Sequence, residues 1–305
     1  MRINPITPPS EAVIEIERVS RRFGDKLALN DVSLQVARGK VFGLMGGNGA
    51  GKTTLIKHLL GTLKAQSGSV RVFGMNPVAN PPEVLGRIGY VSENRDLPGW
   101  MRVDELVRYS QAFYSTWDAK YAEELRAQFA LERNARIKDL SRGELAKAGL
   151  LVALAHRPEL LLLDEPSSGL DPVVRRDILE AIIRTVADEG RTVFFSSHLL
   201  EEVERVSDEV AMLHAGKVLW SGPLDEIKAG HHRLTLRFTA SQAQPPVIPG
   251  VLSIRGAAQE WTIICNGTRS ELSAVITNLG ARIVAEETPS LNDIFVARVA
   301  QKVVD

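Results

Sequence analysis

Apolar residues recur along this chain in two rhythms, every second position in some stretches and every third or fourth in others. Over residues 13–73 the first rhythm dominates: Val32, Leu34 and Val36 alternate with Ser33 and Gln35, Arg38-Gly39 makes a turn, and Val41–Met45 is a short apolar run. That stretch is predicted to be rich in strand. Within it, residues 53–63 switch to helical spacing, with Leu55, Ile56, Leu59, Leu60 and Leu63 on one face. Residues 97–155 read as helical throughout, and Tyr109, Phe113 and Tyr114 form an aromatic face expected in the core. Strand and helix then alternate. Residues 160–163 are a buried strand, and Asp171 and Pro172 open a helix whose Val174, Ile178, Ile182 and Val186 share a face and which Gly190 ends. A strand at 192–196, a helix at 199–206 and a hairpin of 210–214 with 217–220, turned at Ala215-Gly216, complete the pattern. It predicts an α/β unit interrupted by a helical insertion.

Around Gly230 the character changes. Residues 233–239 alternate, 243–250 hold three prolines, and two short strands are predicted near 251–255 and 261–265. A helix near 271–279, a strand near 282–286 and a last helix near 291–299 follow. The last helix carries Ile294, Phe295 and Val299 on an apolar face that packs either within the tail or at a dimer contact. The organisation expected is a floppy lead-in at 1–12 with Pro5, Pro8 and Pro9, a main unit at 13–230, and a small α+β accessory domain at 231–305.

Composition narrows the function classes. Hydrophobic residues make up 44% and charged residues 24% of the 305, which excludes a disordered chain. Lys plus Arg and Asp plus Glu both number 37, so no whole-molecule pull toward nucleic acid or anionic lipid exists and no nucleic-acid partner is expected. Cys265 is the one cysteine, which rules out an intrachain disulfide, suits a reducing compartment, and sits in the apolar run Trp261-Thr262-Ile263-Ile264-Cys265 as buried filler. No apolar run approaches the roughly 20 residues that span a bilayer, and the first residues lack a signal peptide's apolar core. The expected location is the cytoplasm, with any membrane role exercised through a partner.

The strongest chemical signal is Gly46-Gly47-Asn48-Gly49-Ala50-Gly51-Lys52-Thr53-Thr54, a G-x-x-x-x-G-K-[ST] phosphate loop between an apolar strand and a helix. Its glycines let backbone N–H groups converge on phosphate oxygens, and the helix N-terminus adds positive partial charge. Lys52 is placed to hold the β- and γ-phosphates of ATP and Thr53 to ligate Mg²⁺. A second signal is the run of four leucines at 160–163 followed by Asp164 and Glu165, which sets two adjacent carboxylates at the C-terminal end of a buried strand. Ligands bind at that end in open α/β sheets.

These residues and several others resemble the ABC transporter ATP-binding family over residues 13–230. Leu140-Ser141-Arg142-Gly143-Glu144 is similar to the signature LSGGQ, although Ser141 and Glu144 also spell a capping box. Residues 167–172 look like the D-loop, Ser196-Ser197-His198 like the switch histidine, Arg22-Phe23-Gly24 like the adenine-stacking site, and residues 88–93 like the Q-loop. Two positions depart from the pattern: Glu93 stands at the usual glutamine, and Arg142 and Glu144 replace the usual glycine and glutamine. Residues 113–118 and 155–160 further resemble a bacterial subgroup of the family and residues 290–295 the C-terminal end of type-2 exporter subunits, and these segments point to export.

The resemblance implies a P-loop ABC ATPase core with an antiparallel β subdomain and a helical insertion, plus the small C-terminal α+β domain. It also implies that Phe23 stacks adenine, residues 46–54 wrap the phosphates, and Thr53, Asp164 and Glu93 manage Mg²⁺, Glu93 directly or through water. Glu165 is then the general base and His198 touches the γ-phosphate, while Ser141 and Gly143 come from a partner, either a copy of this chain or a homologue. Integral membrane permease subunits are the implied partners, placing the chain at the inner face of the cell membrane. The competing class is a non-transport ABC ATPase acting on DNA or ribosomes. Such chains carry two ATP domains, long coiled coils or zinc modules, and this sequence shows none of these.

Overall fold

The structure is a computed structural model that describes residues 12–187, 190–242, 244–248 and 250–301. Residues 1–11 of the expected lead-in, Ala243 and Pro249 of the proline loop, and the side chains of Val186 and Val299 lie outside the described residues. The chain divides into two compact units, the first ending at Ser221 and the second starting at Gly222.

In the first unit the alternating stretch becomes β1 (Ala12–Phe23) and β2 (Lys26–Ala37), an antiparallel pair joined through Gly24-Asp25. Val32, Leu34 and Val36 are buried, as their spacing predicts, because only one face of this sheet meets the core. Then come β3 (Val41–Met45), α1 (Lys52–Leu59) and β4 (Ser67–Val72), the last returning to the free side of β1 to give the antiparallel order β2-β1-β4. After α2 (Pro81–Leu85) and β5 (Ile88–Val91) the helical insertion holds α3 (Val103–Gln111), α4 (Ala119–Gln128), a short 3₁₀ turn at Ile137–Asp139 and α5 (Arg142–Ala155). Alternation resumes with β6 (Leu160–Asp164), α6 (Pro172–Ala187), β7 (Thr192–Ser197), α7 (Leu200–Val206), β8 (Glu209–His214) and β9 (Lys217–Pro223). The second sheet runs β5-β6-β7-β3-β8-β9 with its first five strands parallel. Every residue of β3, β6 and β7 is buried, as strands covered on both faces must be. The β8–β9 hairpin turns at Ala215 and Gly216 with φ of +46° and +76°, the mirror-image geometry that matches strand twist.

The insertion is helical over residues 97–155 as its spacing predicts, and Asp118 caps α4, its side chain accepting from Tyr121 N at 2.9 Å. It departs from its sequence reading in one way. The aromatic face is not core. Helix α3 buries Val103, Leu106 and Ser110, which leaves Tyr109 and Phe113 on the other side, 52% and 66% exposed with their rings edge to face at 5.0 Å. Only Tyr114 turns inward, where its ring stacks on His156 at 3.8 Å. His156 is almost wholly buried, its Nε2 lies 3.1 Å from Ile88 O, and desolvation lowers its affinity for a proton.

A charged clamp fixes the start of β6. Glu159 accepts from Arg87 Nε at 2.6 Å and Nη2 at 3.0 Å and from Arg38 Nη1 at 2.8 Å, and these guanidinium bonds, Arg87 first, hold its carboxyl down at about 2 against an ordinary 4.5. A carboxylate depressed in the folded state contributes stability above its unfolded value and loses it as pH falls toward the folded one. Glu159→Gln should therefore lower the urea midpoint at neutral pH, by about 1 kcal/mol or less given a side chain 40% exposed. The gap between variant and wild type should narrow between about pH 5 and pH 3. A gap unchanged over that range would show that the clamp does not titrate as described.

The second unit contains α8 (Leu224–Ala229), β10 (His231–Gln242), β11 (Val251–Asn266), α9 (Arg269–Asn278), β12 (Ala281–Glu287) and α10 (Leu291–Gln301). Its sheet is antiparallel in the order β11-β10-β12, over a core of Leu234, Leu236, Phe238, Trp261, Ile263, Cys265, Leu272 and Ile276. The span of β11 doubles back around Ala258, whose φ is +54°: Asn266 N donates to Gly250 O at 3.0 Å, and Trp261 Nε1 to Ala258 O at 3.2 Å. The runs 251–255 and 261–265 are thus two arms of one span, and only the second pairs with β10.

Helix α8 falls in this unit rather than before it, tied in by His231 Nδ1, which lies 2.7 Å from Ile227 O. Helix α10 buries Leu291, Ile294 and Ala297 and packs on β11, with Phe295 half-buried. Cys265 is fully buried, and desolvation, followed by the charge of Glu286, pushes its thiol up to about 11. Among the described residues, no helix is long and apolar enough to cross a membrane.

Candidate active site

The site begins where β3 hands over to α1. The chain turns through residues 46–51, and Gly49 and Gly51 adopt φ of +76° and +114°, which side chains with a Cβ rarely adopt. A Cβ on Gly51 would stand 2.5 Å from Ala28 O, and one on Gly46 would stand 2.4 Å from Leu213 O. The β8–β9 turn braces the loop from behind, with Gly216 N donating to Ala50 O at 3.0 Å. In front of it opens a cleft of about 300 Å³ lined by Phe23, Lys26, Ala28, Asn48, Gly49, Ala50, Gly51, Lys52, Thr53, Thr54, Glu93 and Glu165. Residues from β1, β2, the loop, the end of β5 and the end of β6 therefore meet in one place. Phe23 stands 44% exposed there, with the Arg21 guanidinium 4.8 Å from its ring centre.

Lys52 crosses the loop. Its Nζ donates to Gly46 O at 2.6 Å and Gly47 O at 3.3 Å and sits 2.9 Å from Glu165 Oε1, with both side chains only 6% exposed. The other carboxylate oxygen, Oε2, lies 2.6 Å from His198 Nδ1 and accepts from His198 N at 3.3 Å. Lys52, Glu165 and His198 thus form one continuous line of polar contacts, in which the Lys52 cation offsets the buried Glu165 carboxylate.

Glu165 has φ of +50°. This conformation is costly for a residue with a Cβ and is held by its surroundings. Its N–H donates to Ser196 Oγ at 3.0 Å, and that hydroxyl donates to Asp164 Oδ1 at 2.7 Å across the parallel pair β6–β7. Asp164 is 1% exposed. Glu93 lies exposed on the cleft just beyond β5. The Tyr90 hydroxyl nearby is pushed up to about 12 by burial and then by the negative charges of Asp164, Asp96 and Glu93.

Sequence reasoning missed the groups that hold the segment after Glu165. Arg95 donates through Nη2 to Pro166 O at 3.1 Å and Ser168 O at 2.8 Å, and Arg175 Nη2 donates to Leu170 O at 3.3 Å. The Ser167 hydroxyl donates to the buried carboxylate of Glu202. Asp171, by contrast, caps α6 as expected, accepting from Val173 N at 3.0 Å and Val174 N at 3.1 Å. Lys26, a second cation on the cleft, also went unnoticed, since a lysine opening a strand carries no motif.

Ser141 and Gly143 stand apart from the residues that line the cleft. Ser141 starts α5 with the capping box its spacing spells: Glu144 Oε2 accepts from Ser141 N at 2.8 Å, and Ser141 Oγ accepts from Glu144 N at 3.2 Å. Gly143 is buried against α6, where a Cβ would meet Val174 Cγ2 at 2.8 Å.

Comparison with known proteins agrees with this geometry. Residues 29–168 match the family described as ABC transporter. The chain is 33% identical to the uncharacterized ABC transporter ATP-binding protein YhaQ of Bacillus subtilis, over 94% of this chain and 98% of that one. It is 27% identical to the ABC transporter ATP-binding protein YtrB of the same species, over 95% and 99%. It is also 32% identical to the bacitracin transport ATP-binding protein BcrA of Bacillus licheniformis, over 77% and 78%. Among solved structures, one described as the ATP binding subunit of an ABC transporter superposes with a TM-score of 0.65 at 30% identity, over 71% of this chain and 92% of that one. A loop built to wrap phosphates, the paired carboxylates behind it and these full-length relatives converge: the chain belongs to the ABC transporter family as an ATP-binding, ATP-hydrolysing subunit.

Proposed function

We propose that this subunit drives export through separate membrane permease subunits, with two ATP-binding chains closing head to tail over ATP at the inner face of the cell membrane. The observation that carries this reading is the division of the site. The phosphate loop and Glu165 converge on one cleft, with His198 bonded to Glu165, whereas Ser141 and Gly143 stand at the start of α5 and neither line the cleft nor bond to its residues. A capped, exposed helix start is suited to the phosphate of a second molecule. A neighbour in fold was solved as a dimeric cassette bound to ADP and Pi, at 22% identity with a TM-score of 0.62. The second chain is either a copy or a homologue. The export direction rests on the likeness of residues 113–118 and 155–160 to a bacterial subgroup of the family and of residues 290–295 to the C-terminal end of type-2 exporter subunits, and BcrA is named for bacitracin transport. The tail at 231–305 serves as an accessory module and holds none of the residues proposed for the site.

Within the site, the exposed ring of Phe23 offers adenine a stacking face, and the loop N–H groups and Lys52 hold the phosphates. Thr53 and Glu93 line the cleft and the Asp164 carboxylate ends β6 beside Glu165, an oxygen set suited to a divalent cation that arrives with the nucleotide's phosphates, and these three are its proposed holders. Mg²⁺ bound with the nucleotide supplies neutralising charge on the phosphoryl oxygens. Glu165 Oε1 is occupied by Lys52 in the structure. Drawing Lys52 toward the γ-phosphate releases that oxygen to accept the proton of the attacking water, while His198 keeps hold of Oε2 and faces the phosphate from the other side.

Complementation tests the shared site. Lys52→Met and Ser141→Arg chains should each be nearly inactive, because one lacks a working loop and the other a working signature. Mixed in equal amounts, half the dimers contain one intact composite site, so about a quarter of wild-type ATPase activity should return. Mixtures no more active than their parents would count against closure between two chains.

A further inference from the structure

Glu202 is a carboxylate that no part of the proposed chemistry uses, yet it is 6% exposed in the interior of the first unit. Burying such a group is costly unless partners surround it. Its partners come from three different segments. Oε2 accepts from the Ser167 hydroxyl, two residues past Glu165, and lies 3.3 Å from the Ser197 hydroxyl, immediately before His198. Oε1 lies 3.1 Å from Arg175 Nε on α6, and the same guanidinium donates to Leu170 O at 3.3 Å. Ser197 Oγ also accepts from Leu199 N at 3.0 Å, closing the turn that carries His198.

We infer that Glu202 is a positioning residue that yokes the segment following Glu165 to the turn carrying His198, so that the two sides of the hydrolytic centre move as one body. The local geometry explains why a yoke is needed. Glu165 sits in a strained left-handed conformation at the end of β6, and His198 sits one residue past the end of β7, so neither is held by its own strand ladder. Ser196 links the strand ends and His198 bonds Glu165 directly, while Ser167 past β6 and Ser197 at the last position of β7 have Glu202 in common. Glu202 does not line the nucleotide cleft, so its effect falls on the alignment of Glu165 with His198 and not on ATP capture. A one-ångström loss of alignment is enough to cost a large share of the rate. The inference rests on Glu165 and His198 acting in hydrolysis as proposed above.

The test uses the full-length chain with steady-state ATPase kinetics and, separately, equilibrium ATP binding. Glu202→Gln removes the charge and one acceptor while keeping the shape, and it should lower kcat about tenfold with ATP affinity changed less than about twofold. Ser167→Ala and Ser197→Ala should each lower kcat more mildly. Combining Ser167→Ala with Glu202→Gln should cost no more than Glu202→Gln alone, because both remove the same link. Effects that simply multiply, a weakened ATP affinity with unchanged kcat, or a normal kcat in folded Glu202→Gln would each overturn the inference. If Glu202→Gln does not fold, the two serine variants decide, and normal kcat in both overturns it. Glu165→Gln measured alongside separates the two readings. Full activity there defeats the roles given to Glu165 and His198, whereas an inactive Glu165→Gln beside normal Glu202 and serine variants defeats only the yoke.

Discussion

Glu165→Gln is expected to cut ATP turnover by about a hundredfold or more while leaving ATP binding intact. The amide has the shape of the carboxylate and can occupy the same place beside Lys52, and a glutamine meets the same backbone conformation at φ of +50° as the glutamate does. What disappears is the group that takes the proton of the attacking water. The variant should accumulate with ATP and Mg²⁺ in place, and size-exclusion chromatography in their presence should show a dimer that the wild type forms only transiently. Lys52 loses a charged partner but keeps the carbonyls of Gly46 and Gly47, so the nucleotide-free variant should melt only modestly below wild type and recover when ATP is added. Turnover near the wild-type rate would remove Glu165 from the proton-accepting role.

Lys52→Met is expected to damage both binding and stability. The ammonium joins the phosphate loop to Glu165, and removing it leaves a carboxylate 6% exposed without that cation. Breaking a buried pair from one side costs about 3–5 kcal/mol, which corresponds to a melting temperature lower by roughly 10 °C for a unit of this size. ATP affinity should fall by at least about tenfold, since charge-assisted contacts to the phosphates are lost. Calorimetry with and without ATP checks both at once: the wild type should gain stability with nucleotide and the variant should not. A variant that melts with the wild type would mean that the Lys52–Glu165 pair contributes nothing net to the fold.

Much of this site is legible in the sequence because its parts are local. The phosphate loop needs glycine where φ is positive, and Gly49 and Gly51 announce that need in a string of nine residues. Four leucines before Asp164 and Glu165 specify a buried strand and what it delivers, and Ser141 with Glu144 specifies a cap three positions apart. The helical insertion is less legible because helical spacing fixes a face without saying which face is buried. Tyr109 and Phe113 form a stripe of the right period on the solvent side of α3, while Val103 and Leu106 take the core. The supports of the site are not legible at all. Arg95 finds Pro166 and Ser168 across 71 and 73 positions, and Glu202 finds Ser167 across 35, pairings that only the folded chain creates.

The single thiol of the chain lends itself to a different use. With Cys265 sealed in the core of the second unit and its proton held up to about 11, maleimides and similar reagents meet no reactive thiolate in the folded protein. A reporter cysteine placed on the surface can therefore be labelled without first deleting the native one. Left alone, Cys265 becomes a clock: reagent reaches it only when β11 and its neighbours part, so the labelling rate registers the breathing of the C-terminal unit specifically. That rate can be followed while nucleotide, partner or temperature is varied, which turns a structurally silent side chain into a gauge of local stability.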